Sequence, residues 1–317
     1  MSRVFLNINQ TAGPIESSPL VEGDANYERR EEKKYKFNPT QGIKTPTTEA
    51  ELRVQLAAAY RAVARLGWDD GIQNHLTVRV PGERNQFLIN SYGQGFEEVT
   101  AASLVKIDHE GNVLEEGSMG STVNFAGFAI HSAIHQARED AICVMHTHEK
   151  NVTALASMKC GFLPLSQTHL LAGEVTSHPY GPAATVPECR EMATSMGNSD
   201  ILLLKNHGVL TTGRTIAEAF TRLWYITRAA EIQVQAMASP HAMEAVELID
   251  DETVEYYKGT KFIKIVADSE FAHQVRLVDR DLPGYDDINK PAKNKMKQET
   301  KKKKKKGKKK KKMKNKN

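Results

Sequence analysis

Two histidines separated by one residue, His146 and His148, follow directly on the apolar run Ala141-Ile142-Cys143-Val144-Met145. In extended chain such residues project from one face about 6 to 7 Å apart, so both imidazoles can converge on one metal ion. His207 follows a second apolar run, Ile201-Leu202-Leu203-Leu204, and sits beside Gly208 in a turn that can aim a side chain into a cleft. Three imidazoles at strand ends would make an open zinc site, with a fourth position for water or substrate. The same spacing also suits three unrelated polar histidines bonded to backbone carbonyls. His131 and His135 stand four apart, but Ser132 occupies the position where a zincin needs Glu, so a packing role on a helix face is expected. Glu97, Glu98 and Glu149 read as solvated carboxylates. Nothing fixes the direction of His169 or Glu174, and no catalytic base is assigned.

The elements that must position these groups alternate along the chain. Thr48 with Glu51 fits a capping box, and Leu52, Leu56, Tyr60, Val63 and Leu66 recur at helical spacing until Gly67. Leu76, Val78 and Val80 alternate with His75, Thr77 and Arg79, which predicts a strand ending at the Pro81-Gly82 turn, and Phe87-Leu88-Ile89 continues the pattern. Residues 104–107 and 113–114 read as a hairpin around a glycine-containing turn. A helix is expected from about Asn124 to Arg138 and another over roughly Asn151 to Met158. Residues 161 to 187 are punctuated by Pro and Gly. The last long helix carries Ile216, Phe220, Leu223, Trp224, Ala230 and Val234. Helix and strand alternate without an internal linker, which predicts one α/β domain over 47–240. A flexible arm at 1–46 precedes it, and an extension at 241–289 follows.

With 317 residues, 26% charged and 40% hydrophobic, the chain can bury a large core, which excludes a wholly disordered or membrane-spanning protein. The early polar N-terminus argues against a secretory signal. Cys143, Cys160 and Cys189 are odd in number and lack CxxC spacing, so reduced thiols and a cytoplasmic address are expected. The net charge of +4 conceals an asymmetry: residues 290–317 hold 17 Lys and one acidic residue, leaving 26 basic against 38 acidic residues before them. From Lys301 to Lys312 only Gly307 interrupts the lysines, so self-repulsion predicts a disordered polylysine tail. Such a tail can bind only by charge, to anionic membrane, nucleic acid or acidic cytoskeletal polymers, at about 1 kcal/mol per Lys near an anionic membrane, or it serves as a solubilising extension without a specific partner. It also fits a nuclear import signal. With no aromatic platform beside the lysines, sequence-specific nucleic-acid reading is not expected.

Six ordered segments carry a family resemblance. They are Asn74-His75-Leu76-Thr77-Val78-Arg79, Leu88-Ile89-Asn90-Ser91-Tyr92-Gly93, Glu98 to Lys106, Gly127 to His135, Val144 to His148 and Lys205-Asn206-His207-Gly208-Val209. The span from about 52 to 238 resembles the class II aldolase and adducin head family. The resemblance implies a three-layer α/β/α sandwich around a mainly antiparallel central sheet, assembled as a tetramer. It also implies Zn2+ held by His146, His148 and His207. Asn74-His75, Met158-Lys159-Cys160-Gly161, Leu163 to Gln167 and Glu231 to Ala236 look closer to adducin heads and their bacterial relatives than to fuculose-phosphate aldolase.

The aldolases of this family move a proton with a carboxylate four residues before a helical His, and counting back from His131 puts Gly127 there. His75 stands where the sugar-phosphate enzymes have Asn. Ser91 and Gly93 would offer a hydroxyl and backbone amides to a substrate phosphate, or form a plain turn. Two functions follow. One is a zinc-binding lyase or related enzyme acting on a small carbonyl compound or sugar phosphate. The other is a non-enzymatic adducin-like scaffold that docks to the actin-based cytoskeleton or an anionic membrane through the lysine tail. Adducins also end in a basic segment, but theirs interleaves Ser and Phe, whereas no Ser, Thr or aromatic residue follows Thr300 here.

Overall fold

The computed structural model describes residues 42–181, 185–239, 241–258 and 260–289. The arm expected over 1–46 is therefore described only from residue 42, and the lysine tail lies outside the described residues.

The first helix, α1 (Glu49–Arg65), begins at the capping box that the sequence announces: the Glu51 amide donates to Thr48 Oγ1 at 3.3 Å, and the Thr48 amide to Glu51 Oε2 at 3.1 Å. Gly67, at a φ of 68°, turns the chain away after it. Four strands follow, β1 (His75–Arg79), β2 (Gln86–Ile89), β3 (Val105–Asp108) and β4 (Val113–Glu115), and then helix α2 (Phe125–Ala137). Strand β5 (Cys143–Thr147) leads to helix α3 (Lys150–Ser157). The Pro- and Gly-punctuated stretch holds helix α4 (Gln167–Ala172), strand β6 (Val175–His178) and the start of helix α5 (Val186–Met196). Its elements are only four to eleven residues long, too short to show a period through the breakers. Strands β7 (Ile201–Leu204) and β8 (Gly208–Gly213) precede the long helix α6 (Ile216–Ala236), and α7 (Ala242–Ala245), α8 (Asp251–Lys258) and α9 (Phe262–Asp281) complete the series.

Among the described residues, eight strands form one sheet in the order β4-β3-β2-β1-β5-β8-β7-β6. Only β6 and β7 pair in parallel; the other neighbours are antiparallel. Alternation along the strands sorts the core into two layers. Cys143, Met145, Ile201, Leu203 and Val209 pack with α1, α3, α6 and α9 on one face. Val144, Leu202, Leu204 and Leu210 pack with Ile130 and Ile134 of α2 and Met192 and Met196 of α5 on the other. This is the three-layer α/β/α sandwich around a mainly antiparallel sheet. Helix α9 shares the first layer, where Phe271 is fully buried against Phe220 with ring centroids 5.2 Å apart. No described helix is long and apolar enough to cross a membrane.

Candidate functional site

Antiparallel pairing places the histidines. His146 of β5 sits opposite His75 of β1 in the ladder and opposite Leu210 of β8 on the other side. Beyond the end of β7, Asn206 takes a left-handed φ of 60°, which reverses the chain within the turn and brings His207 back toward β5. The next residue must be glycine, because a Cβ at Gly208 would stand 2.4 Å from the carbonyl oxygen of Thr147 and 3.1 Å from Cδ2 of His148.

Three ring nitrogens meet as a result. Nε2 of His148 lies 2.8 Å from Nε2 of His146 and 3.0 Å from Nε2 of His207. Among the described residues, His146, His148 and His207 form the one group of histidine, cysteine or acidic side chains with the spacing of a metal site, their ligand atoms within 4.8 Å of one another. Two of the rings are anchored from behind. Nδ1–H of His146 donates to the Val209 carbonyl at 2.9 Å, and Nδ1–H of His148 donates to Asp70 Oδ2 at 3.3 Å. Each of these two rings therefore turns a lone pair on Nε2 toward the other. Lone pairs facing at 2.8 Å repel unless a cation lies between them, and nitrogens 2.0–2.1 Å from a tetrahedral ion stand about 3.3 Å apart. The donor set thus fits a zinc-type ion, with a carboxylate and a carbonyl as the outer partners such ligands usually have.

The environment keeps His146 and His207 in their ligating form. Burial, followed by the neighbouring rings of His75, His148 and His207, pushes His146 well below the usual histidine range. Burial and then His148 push His207 down to about 4. Both rings are neutral near pH 7, as metal ligation requires. Asp69 is held above the ordinary carboxylate range by partial burial, with Glu97 and Asp70 adding negative charge nearby.

A second, buried group of polar side chains adjoins the first. His75, Thr77, His131 and His135 are each at most 3% exposed. His75 Nδ1 lies 2.8 Å from His131 Nε2, His131 Nδ1 lies 2.7 Å from Thr77 Oγ1, and Thr77 Oγ1 lies 2.8 Å from His135 Nε2. His135 Nδ1 ends the chain at 2.7 Å from the Ala141 carbonyl. His131 and His135 do pack on a helix face, but as members of a polar chain. His75 and Thr77 were not among the sequence candidates. Their signal was present in the alternation of His75, Thr77 and Arg79 opposite a helix bearing histidines four apart.

The other candidates lie elsewhere. Ser91 is buried in the loop after β2, where its hydroxyl donates to the Thr122 carbonyl at 3.4 Å, and Gly93 takes a φ of 91° in the following turn. Neither shares a recorded hydrogen bond with the three histidines. Glu149, read as solvated, is 5% exposed and caps α3, accepting from the Asn151 and Val152 amides at 2.8 and 2.9 Å. A side chain beside a strand end is easily taken for surface when the next helix is not yet placed. Glu97 and Glu98 are exposed, with Glu98 accepting from the Gly95 amide at 2.9 Å. His169 is buried and donates or accepts at Ser166 Oγ, 2.9 Å away, outside the cluster.

Comparison with known proteins agrees with this architecture. The family described as Class II Aldolase and Adducin N-terminal domain matches residues 54–234. A Caulobacter vibrioides protein named "Putative aldolase class 2 protein" is 41% identical over 256 residues, which cover 78% of this chain and 98% of that protein. Alpha-adducin of Rattus norvegicus is 41% identical over 204 residues, which cover 64% of this chain but 28% of the adducin. The structure of L-fuculose 1-phosphate aldolase from Glaciozyma antarctica superposes with a TM-score of 0.66 at 26% identity, covering 76% of this chain and 96% of that one.

Proposed function

Since this chain belongs to the Class II Aldolase and Adducin N-terminal domain family, we propose that His146, His148 and His207 hold a zinc ion that receives a small carbonyl compound, of which sugar phosphates are the leading class. The observation that carries this reading is the meeting of two Nε2 lone pairs at 2.8 Å, each on a ring anchored from behind by Val209 or Asp70. Bound there, zinc supplies a Lewis acid for the carbonyl oxygen. The chain's own contributions are separable from that. Asp70 and the Val209 carbonyl fix the tautomer and orientation of two ligands. Gly208 allows the turn to approach His148, and Ser91 and Gly93 are the proposed phosphate contacts after β2. Glu149 is committed to capping α3, and residue 127 is glycine, so the proton-moving carboxylate of the aldolases has no counterpart at that position.

Metal analysis tests the reading. Purified protein is expected to hold about one zinc per chain, and His146→Ala less than about a tenth of that with the fold intact by circular dichroism. A screen of short ketose and aldose phosphates then tests cleavage by the appearance of the two smaller carbonyl products. Equal metal content in the wild type and the variant would contradict the site.

A second reading is favoured by Gly127 together with the likeness to alpha-adducin. In it the same fold, as a homo-oligomer that the family resemblance makes a tetramer, is a cytoplasmic scaffold docked by Lys301–Lys312 to actin filaments or anionic membrane. Salt-sensitive cosedimentation lost on deleting 290–317, with zinc bound and no turnover, is its expected signature. Binding unchanged by that deletion would remove it.

A further inference from the structure

Gly127, His131 and His135 lie four residues apart on α2, and that stripe faces His75, Thr77 and Arg79, two apart on β1. Four helical residues advance about 6 Å and two strand residues about 6.8 Å, so the two rows keep in step. His131 accordingly bonds both His75 and Thr77, while the His135 carbonyl accepts from Arg79 Nη2 at 2.7 Å. At the upper end of the rows, a Cβ on residue 127 would stand 2.0 Å from Nε2 of His75, 2.4 Å from its Cδ2 and 2.8 Å from its Cε1. The imidazole edge fills the space that any side chain at 127 would need.

The hydrogen bonds behind that ring have one direction. The Ala141 carbonyl can only accept, so Nδ1 of His135 carries the proton and its Nε2 accepts from the hydroxyl of Thr77. Thr77 Oγ1 has then spent its hydrogen and accepts from Nδ1–H of His131. Nε2 of His131 in turn accepts from Nδ1–H of His75. A neutral His75 is left with its lone pair on Nε2, the atom at the Gly127 end, and its ring lies 5.0 Å centroid to centroid from that of His146.

We propose that Nε2 of His75 is the fixed hydrogen-bond acceptor of the histidine pocket, standing where a carboxylate at 127 would stand and taking a hydroxyl of the bound ligand. The exchange of an anionic acceptor for an uncharged one changes what the pocket selects. Three imidazole ligands and an uncharged acceptor leave the charge of a divalent cation uncompensated by these groups, which favours ligands that bring their own negative oxygen together with a hydroxyl, such as α-hydroxy carboxylates. His75 is thereby a specificity-determining residue. The ligand-binding part of this proposal rests on the metal reading above, whereas the placement and tautomer of His75 do not.

The test reads the two parts separately. In the whole protein with 15N-labelled histidine and chelator present, His75, assigned by the signal lost in His75→Asn, is expected to show a protonated Nδ1 and a bare Nε2. A proton on Nε2 would overturn the proposal. Gly127→Glu alone is expected to melt about 10 °C or more below wild type, because the side chain collides with a packed ring. Adding His75→Asn is expected to restore most of that loss, and a single variant as stable as the pair would show that the ring does not fill the position. With zinc loaded, glycolate, which carries a carboxylate and a hydroxyl, is expected to bind His75→Ala about tenfold more weakly than wild type at equal metal content, the cost of one lost hydrogen bond. Equal affinity would overturn the acceptor role. Wild-type protein that takes up no zinc would instead overturn the metal reading, while the tautomer and Gly127 results would still decide the placement of His75.

Discussion

Metal-free protein is expected to lose its fold steeply between pH 6.5 and about pH 5, well above the range in which most carboxylates titrate. Burial pushes His75 and His135 down to about 3 from 6.5, and pushes His131 well down in the same direction. For His75 the neighbouring His148 and His207 add to the effect of burial. For His131 the rings of His75, His146 and His135 add to it, and for His135 the Arg79 guanidinium adds while the Ala141 carbonyl opposes. These rings stay neutral in the fold but take up protons in the unfolded chain once the pH drops below 6.5. Their depressed values therefore give stability that is complete above pH 6.5 and is lost progressively as the pH falls toward 3. Each contributes at most about 1.4 kcal/mol per pH unit within that window, so His75 and His135 together approach a slope of about 3 kcal/mol per unit, and His131 adds in the same direction. Against a typical domain stability of 5–15 kcal/mol, one to two units of acidification suffice. Urea midpoints at pH 7.5, 6.0 and 5.0 in the presence of chelator measure this, and a His135→Gln variant should show a shallower slope. A midpoint unchanged from pH 7.5 to 5.0 would mean that the three rings are not sealed from solvent.

Phe271→Ala is expected to destabilise the whole domain by about 3–5 kcal/mol, the cost of emptying a filled aromatic position in a core. Phe271 is fully buried against Phe220, and Ala267 and Val278 of the same helix are at most 2% exposed. Arg61 of α1 reaches the Leu282 carbonyl at 2.9 Å, and Arg65 holds Asp281 at 2.6 Å, so the C-terminal end of α9 is tied to α1. Chemical denaturation followed by both circular dichroism and Trp68 and Trp224 fluorescence should show one shared transition at lower denaturant. A loss below about 1 kcal/mol, or a separate early transition confined to α9, would show that this helix rests on the domain without belonging to its core.

Much of this architecture was legible from local patterns. The capping box at Thr48, the alternation in β1 and the apolar runs of β5 and β7 each carry a period strong enough to survive without tertiary context. Helix α9 was not legible: its buried stripe, Ala267, Phe271, Gln274 and Val278, contains a small residue and a polar one, so the apolar signal is diluted. The candidate site divides in the same way. His146, His148 and His207 are conspicuous because each stands at the end of an apolar strand. The buried chain from His75 to His135 is hidden because polar residues alternating on a strand look like a solvent face until α2 covers them. Which acceptor lies beside a metal depends there on two rows, on β1 and α2, that are about fifty residues apart in sequence.

The most direct test of the metal site is X-ray absorption at the zinc edge of the purified protein. The arrangement of His146, His148 and His207 predicts a first shell of nitrogen and oxygen only, at about 2.0–2.1 Å, with the outer-shell pattern of three imidazoles. Cys143 and Cys189 are buried free thiols outside the histidine cluster, so no sulfur is expected. A sulfur shell at about 2.3 Å, or protein that holds no metal after growth in zinc, would contradict it.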